Sequence, residues 1–335
     1  PPRSTLFPYT TLFRSVAQAA YPRQREMVSK LLSAAIDRAM GAEDLDPMQV
    51  ADVLVDAGRI CLRAGDYGLA LHALQHGLHR MRPVLGEDAP AVLAAEEDVG
   101  EALWRNGELQ AARALQEKVL ATRRRVLGEE HPETLTAMNN LALTLSSQGD
   151  LESARTLQEQ ELAMCRRILG EEHPETLTSM NNLATTLHLQ GDLKGAQALQ
   201  EKVLDTRRRL LGEEHADTLT AMNNLASTLL NQGNLSGART LEEKVLEIRA
   251  RLLGQDHPET LLSLNNLAAM LHDQGDLEGA RPFQEQVLAT RRRVLGEKHP
   301  DTLLAMSQLM QTAKEMGDMD TVINLSQELT KGLVK

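Results

Sequence analysis

An all-α fold, in which helical hairpins stack into an α-α superhelix, is what this sequence predicts, and three observations carry the prediction. Aromatic residues make up 2% of the 335-residue chain and apolar residues 42%. A core therefore has to be built from Leu, Ala, Val and Met, which suits helices better than sheets, where aromatic and β-branched residues are enriched. The phrase G-E-x-H, with Gln255 in place of Glu in one copy, ends at His131, His173, His215, His257 and His299, each 42 residues after the last. Within each copy, two stretches of apolar residues at spacings of three and four are separated by Gly followed by Asp or Asn, the pattern of two amphipathic helices joined by a tight turn.

The copies share one structure, because residues 131–172 and 173–214 are identical at 28 of 42 positions. Two weaker copies precede them: Gly86 to Pro90 aligns with Gly128 to Pro132, and Gly65, Gly107 and Gly149 keep the spacing. Seven units follow, at about 47–88, 89–130, 131–172, 173–214, 215–256, 257–298 and 299–335, after a helical segment at 16–46. Thr5 to Ser15 matches the in-frame translation of a sequencing-adapter oligonucleotide, so residues 1–15 are read as an artefact, and a domain lost upstream is an expectation that follows.

In the unit 131–172, Pro132 fits the first helical turn, where its missing N–H costs nothing, and Glu133 suits the positive end of the helix dipole. Leu135, Met138, Ala142 and Leu145 form the inward stripe of the first helix, and Gly149 with Asp150 stops it. Ala154, Leu157, Leu162, Cys165 and Ile168 are expected on the buried side of the second, with Arg166 and Arg167 in its last turn. A hairpin of this size cannot bury its apolar face alone, so neighbours have to stack. The last helix, about 318–333, has Val322, Leu325 and Leu329 to pack inward.

Net charge is −11, which opposes sequence-independent attraction to nucleic acid or anionic lipid. The sequence therefore predicts neither a nucleic-acid nor a membrane partner. Cys61 and Cys165 have no second thiol nearby in sequence, so no disulfide framework is expected and a reducing, cytoplasmic setting fits. The loop histidines are read as caps rather than metal ligands, since equivalent loops of stacked hairpins lie about 10 Å apart, far beyond a metal–ligand bond. Arginine runs at 123–125, 207–209 and 291–293 are read as solvated faces with favourable dipole placement. No phosphate loop, H-E-x-x-H or G-x-S-x-G motif is present, so the expectation is a chain that is no enzyme and needs no cofactor.

The pattern N-L-A-x6-G-[DN]-L, as in Asn140-Leu141-Ala142 through Gly149-Asp150-Leu151, resembles the tetratricopeptide motif. The 42-residue period, L-G-E-x-H-P-x-T-L and M-N-N-L-A look like its kinesin-light-chain variety, over about residues 44–335. The resemblance implies a solenoid whose first helices face a concave groove. It also implies that the asparagines Asn139, Asn140, Asn181, Asn182, Asn223, Asn224, Asn265 and Asn266 contact a bound peptide. The alternative is that they hydrogen-bond between neighbouring helices and stiffen the stack.

His188 and Leu230 join the same face by register, and the groove around the asparagines carries no central cation, unlike the carboxylate-clamping type of the family. Trp104, beside Arg105, Glu97 and Glu101, is either a ligand anchor or a packed core residue. Together these readings predict a protein–protein interaction scaffold that takes a partner peptide in its groove. The rival reading is the regulatory or sensor repeats of a larger signalling ATPase or peptidase.

Overall fold

Fifteen helices form among the described residues, 22–41 and 46–333, of a computed structural model; residues 1–15 lie outside that description. Helix α1 (Pro22–Met40) precedes seven hairpins. The first four are α2 (Pro47–Ala64) with α3 (Tyr67–Leu85), α4 (Pro90–Arg105) with α5 (Leu109–Leu127), α6 (Pro132–Ser147) with α7 (Leu151–Leu169), and α8 (Pro174–Gln190) with α9 (Leu193–Leu211). The last three are α10 (Ala216–Asn231) with α11 (Leu235–Leu253), α12 (Pro258–Asp273) with α13 (Leu277–Leu295), and α14 (Pro300–Glu315) with α15 (Met319–Leu333). This is a solenoid of stacked hairpins with no strand among the described residues. It groups into two compact units, one over residues 23–206 and one over 207–333.

The repeated loop phrase explains where first helices begin. Nδ1 of His131, His173, His215, His257 and His299 accepts the backbone N–H two residues on, at 3.2 to 3.3 Å. Each ring thus satisfies one of the orphan donors of a helix N-terminus, and it does so only with Nδ1 unprotonated. The threonine three residues after the histidine closes the loop from the other side: Thr134 Oγ1 donates to the Gly128 carbonyl at 2.8 Å and Thr176 Oγ1 to that of Gly170 at 2.7 Å. Between the helices of a hairpin, Gly149 takes φ +84°, which a side chain would resist, and the Asp150 carboxylate accepts from Ser153 N–H to start the next helix.

The inward stripe of α6 is buried as expected, with Leu135, Met138, Ala142 and Leu145 at 4% exposure or less. On α7, Ala154, Leu162 and Cys165 are buried and Leu157 half-buried. Ile168 departs from expectation at 40% exposed. The reason is length: the next first helix starts opposite residue 165, so the last turn of a second helix runs past its neighbour.

The arginine runs also depart from expectation, because the first member of each turns inward. Arg123 is 1% exposed and Arg207 8%. Arg123 Nη1 donates to the Glu133 carbonyl at 2.6 Å, Arg207 to that of Asp217 at 3.0 Å, Arg249 to that of Glu259 at 3.4 Å and Arg291 to that of Asp301 at 3.0 Å. Each of these clips the end of one hairpin to the first turn of the next. The third member stays outside and pairs with the preceding loop, as in Arg125–Asp88 at 2.6 Å and Arg167–Glu130 at 2.5 Å. Such exposed pairs are individually weak and screened by salt.

Cys165 stands where four other units have the clipping arginine, and Glu161 where those four have Val119, Val203, Val245 and Val287. Glu161 is 6% exposed. Ser179 Oγ donates to it from α8 and Cys165 Sγ donates to it at 3.3 Å. Burial raises its pKa, and the bond from Ser179 opposes the rise. Replacing Glu161 with Val should stabilise the protein by about 1 kcal/mol, because a desolvated carboxylate is lost while the Ser179 hydroxyl can turn to a helix carbonyl, as Ser263 does to that of Glu259. Chemical denaturation at neutral pH measures this, and an unchanged or lowered stability would show that the glutamate holds the joint.

Glu242 gives a second, pH-dependent test. It occupies the position of Gln116, Gln158, Gln200 and Gln284, is 4% exposed, and has an oxygen with no hydrogen-bond partner. Burial pushes its pKa up to about 7, against the pull of Arg249. With the folded pKa above the unfolded one, its contribution is fully present below about pH 4.5 and is lost as pH rises through 7. Glu242→Gln should therefore match the wild type near pH 4 and exceed it by about 1–3 kcal/mol at pH 8. Parallel urea titrations at the two pH values would expose a constant difference, which this account does not allow.

Candidate functional site

Each compact unit exposes a face made of consecutive first helices, and the sequence-predicted residues fall on it. In the unit over 23–206, Asn139 and Asn140 of α6 and Asn181 and Asn182 of α8 are all half-buried. Asn182 Nδ2 donates to Asn139 Oδ1 at 2.7 Å, a rung between successive first helices. Part of the asparagine row thus does what the stiffening alternative proposes. An amide used this way keeps a second N–H and a second lone pair for another partner. His188 is half-buried one helical turn beyond Thr185 on the same helix face.

Trp104 ends α4 on this face, half-buried and packed against the core of the first hairpins. Its Nε1 donates to Ser147 Oγ on α6 at 2.8 Å, and the Arg105 guanidinium lies 4.3 Å from the ring centroid. The indole therefore joins α4 to α6 and presents only part of its surface, which favours the packed reading without removing it from the face.

The chain of 42-residue equivalences reveals what replaces the asparagines upstream: Glu97 and Asp98 stand at the positions of Asn139 and Asn140. Asp98 accepts from Arg59 Nε at 2.7 Å, Arg105 Nε lies 3.3 Å from Glu101, and Glu97 pairs with the buried Arg123. Burial pushes the Glu97 carboxyl up to about 7 even with Arg123 beside it, and burial likewise raises Asp98 against Arg59. Arg59, Arg105 and Arg123 are matched by carboxylates here, while exposed Arg63 at the end of α2 acts on Asp98 only through its charge.

In the unit over 207–333, Asn223, Asn224, Asn265 and Asn266 are half-buried, and Asn223 Oδ1 has no hydrogen-bond partner. Leu230 is half-buried near the end of α10. Leu262 and Leu304, at the position held by Thr136, Thr178 and Thr220 elsewhere, are 44% and 55% exposed. Sequence reading missed this apolar pair, although the same 42-residue alignment contains it. His272 Nε2 lies 3.3 Å from Glu315, spanning α12 to α14.

Among the described residues no group of three or more His, Cys, Asp or Glu is placed to hold a metal ion. Cys61 and Cys165 are buried and free, and burial pushes the Cys61 thiol up to about 11 and raises that of Cys165 further. Neither is a thiolate at neutral pH. No described helix is long and apolar enough to cross a membrane.

Models of the tetratricopeptide repeat match residues 49–124, 92–167, 147–208, 218–259 and 260–301. The chain belongs to the tetratricopeptide repeat family. Its repeats are of the kinesin-light-chain-like form: the nearly identical TPR-like repeats of a Podosopora anserina protein designated a kinesin light chain are 30% identical over 62% of this chain and 97% of that one, with a TM-score of 0.56. BtubC (BKLC) from P. vanneervenii shares the fold at 21% identity, over 79% of this chain and 94% of that one, with a TM-score of 0.55. The apo quorum sensor NprR from B. thuringiensis shares it at 12% identity, over 97% and 86%, with a TM-score of 0.64. No curated protein sequence matches the chain.

The tetratricopeptide stack itself tests the rung. Asn139→Ala and Asn182→Ala should each destabilise the protein, and a double-mutant cycle should return a coupling of about 0.5–1.5 kcal/mol. A coupling near zero in denaturation experiments would mean that the two amides are not bonded in solution.

Proposed function

We propose that this tetratricopeptide chain is a non-catalytic scaffold of the cytoplasm whose first-helix faces bind an extended segment of a partner protein. The observation that carries the reading is the asparagine row, which repeats at one position of α6, α8, α10 and α12 and stays half-buried on all four helices. An Asn amide offers a donor and an acceptor together and so can pair with a main chain whatever side chains it bears. Within each compact unit, successive first helices about 10 Å apart would each meet about three residues of a segment advancing about 3.3 Å per residue. Half-buried Trp104 and His188 flank the row in one unit, and Leu230 in the other, and would add side-chain preference.

The amides of the row are uncharged, and Arg59 and Arg105 at its upstream end are paired with carboxylates. Binding should therefore depend weakly on salt.

The reading is tested by separating the rung from the ligand contacts. With a partner segment obtained by selection from a peptide library, Asn140→Ala with Asn223→Ala, whose Oδ1 has no hydrogen-bond partner, should weaken binding by about 0.5–1.5 kcal/mol per lost hydrogen bond and leave the melting temperature near that of the wild type. Calorimetric titration together with thermal melts decides it: a destabilised double variant whose folded fraction binds normally would assign the whole row to the stack.

A further inference from the structure

Three positions on the second-helix side, recurring every 42 residues, close the outside of two joints with a full ion triad and of others with part of one. Arg166 Nε lies 3.2 Å from Glu171, and Lys202 Nζ on the next second helix lies 2.8 Å from the same carboxylate. Arg208, Glu213 and Lys244 repeat the arrangement at 3.5 and 2.5 Å. Parts of it recur as Lys118–Glu87, Arg124–Glu129 and Arg292–Glu297. Between α11 and α13 all three members change at once: Ala250 replaces the arginine, Gln255 the glutamate and Gln286 the lysine.

Gln286 Nε2 donates to Gln255 Oε1 at 3.2 Å, so a polar link survives, but no long side chain crosses the space that the arginine would fill. What opens there is a cleft of about 580 Å³, floored by Leu264 and Leu267 of α12 and walled by Leu246 and Phe283. One further departure from the repeat and one change of exposure enlarge its apolar surface. Phe283 stands where Leu115, Leu157, Leu199 and Leu241 stand in other units, and Leu246 is half-exposed where Leu120, Leu162, Leu204 and Leu288 are buried.

Three charged side chains of α11 stand at its rim, and two of them are already matched: Glu243 pairs with Arg239 at 2.7 Å, and the Arg251 guanidinium is drawn to Glu214, 2.7 Å away. Glu247 is the exposed carboxylate that remains. Its volume is in the range of ligand sites, yet it is open along its outer side, a shape that covers a side chain rather than a whole small molecule.

We infer that this cleft is a second docking site, on the side of the stack away from the asparagine row, and that it takes an aromatic or aliphatic anchor residue of a partner protein segment with a Lys or Arg next to it. The anchor fills the space vacated at Ala250, over Leu264 and Leu267. The basic neighbour meets the exposed Glu247 carboxylate, since the cation one turn on in the same helix, Arg251, is drawn to Glu214 instead. The site is independent of the proposed groove.

The test uses the full chain with methyl-labelled leucines and two defined probes, N-acetyl-Trp-Lys-amide and N-acetyl-Trp-Glu-amide. Saturable methyl shifts at Leu246, Leu264 and Leu267 with the lysine probe are expected, and weaker ones with the glutamate probe. The triple variant Ala250→Arg, Gln255→Glu, Gln286→Lys restores what neighbouring units carry, so it should fold with an equal or higher melting temperature while binding at least about tenfold more weakly, the loss expected of a buried anchor. Ala250→Met fills the cleft without charge and should do the same. Absent shifts in the wild type, undiminished shifts in either variant, or equal affinity for both probes would overturn the assignment; Asn140→Ala with Asn223→Ala should leave all of these shifts unchanged.

Discussion

The joint between one hairpin and the next is the constraint on which everything else in this chain depends. Apolar stripes such as Leu135, Met138, Ala142 and Leu145 are covered only by a neighbour, and the neighbour has to arrive at a fixed height for the stripes to meet. A guanidinium buried at the end of a second helix and bonded to a carbonyl in the next first turn fixes that height. Arg207 and Arg291 do so with burial pulling their pKa down, and the first-turn acids Asp217 and Asp301 offset that pull. The acid after the loop histidine thus serves twice, at the positive end of its own helix and beside the incoming cation. At the one joint where Cys165 replaces the arginine, Glu161 reaches across to Ser179 instead, so the polar closure is kept with its sign reversed.

Much of this was legible in the sequence because it is local. Helix starts at Pro and stops at Gly follow from backbone chemistry within a few residues, and the His131 type of cap was recoverable from its place before Pro and an acid. What was not legible depends on where a neighbour ends. Three consecutive arginines point in three directions on a helix, and nothing in their spacing says that Arg123 meets Glu133 while Arg125 meets Asp88. Ile168 fits the apolar stripe by period and is exposed only because α8 begins opposite Cys165. For the candidate site, the asparagine row was found by pattern, but the bond from Asn182 to Asn139 required the separation of two helices that sequence does not encode directly.

Near-identity of the repeats makes departures from them informative in a way that a single globular domain does not permit. A position repeated with one residue type reports what packing alone asks for. Glu96, fully buried where Met138, Met180, Met222 and Met306 stand, needs both Arg82 and Lys118 within 3.1 Å, which shows how much surrounding charge one buried carboxylate recruits. Glu161 recruits Ser179 and Cys165, while Glu242 has a desolvated oxygen with no partner. The three are variants of the same event, a carboxylate entering the stack: Glu96 is met by two cations although its Oε2 has no hydrogen-bond partner, Glu161 by two neutral donors, and Glu242 only by the field of Arg249.

Departures that come in correlated sets carry more weight than these single ones. Losing an arginine alone would strand its glutamate partner at the surface, where solvation makes the loss nearly neutral, so single losses need no explanation. Ala250, Gln255 and Gln286 lose all three charges of one triad on three different segments, and Phe283 replaces the repeat's leucine in the same place. Drift at exposed positions has no reason to converge on one cleft, whereas accommodation of a common occupant does. The stack tolerates it because the arginine clips at Arg249 and Arg291 lie on the inner side of the same helices and hold the joints without help from the outer triad.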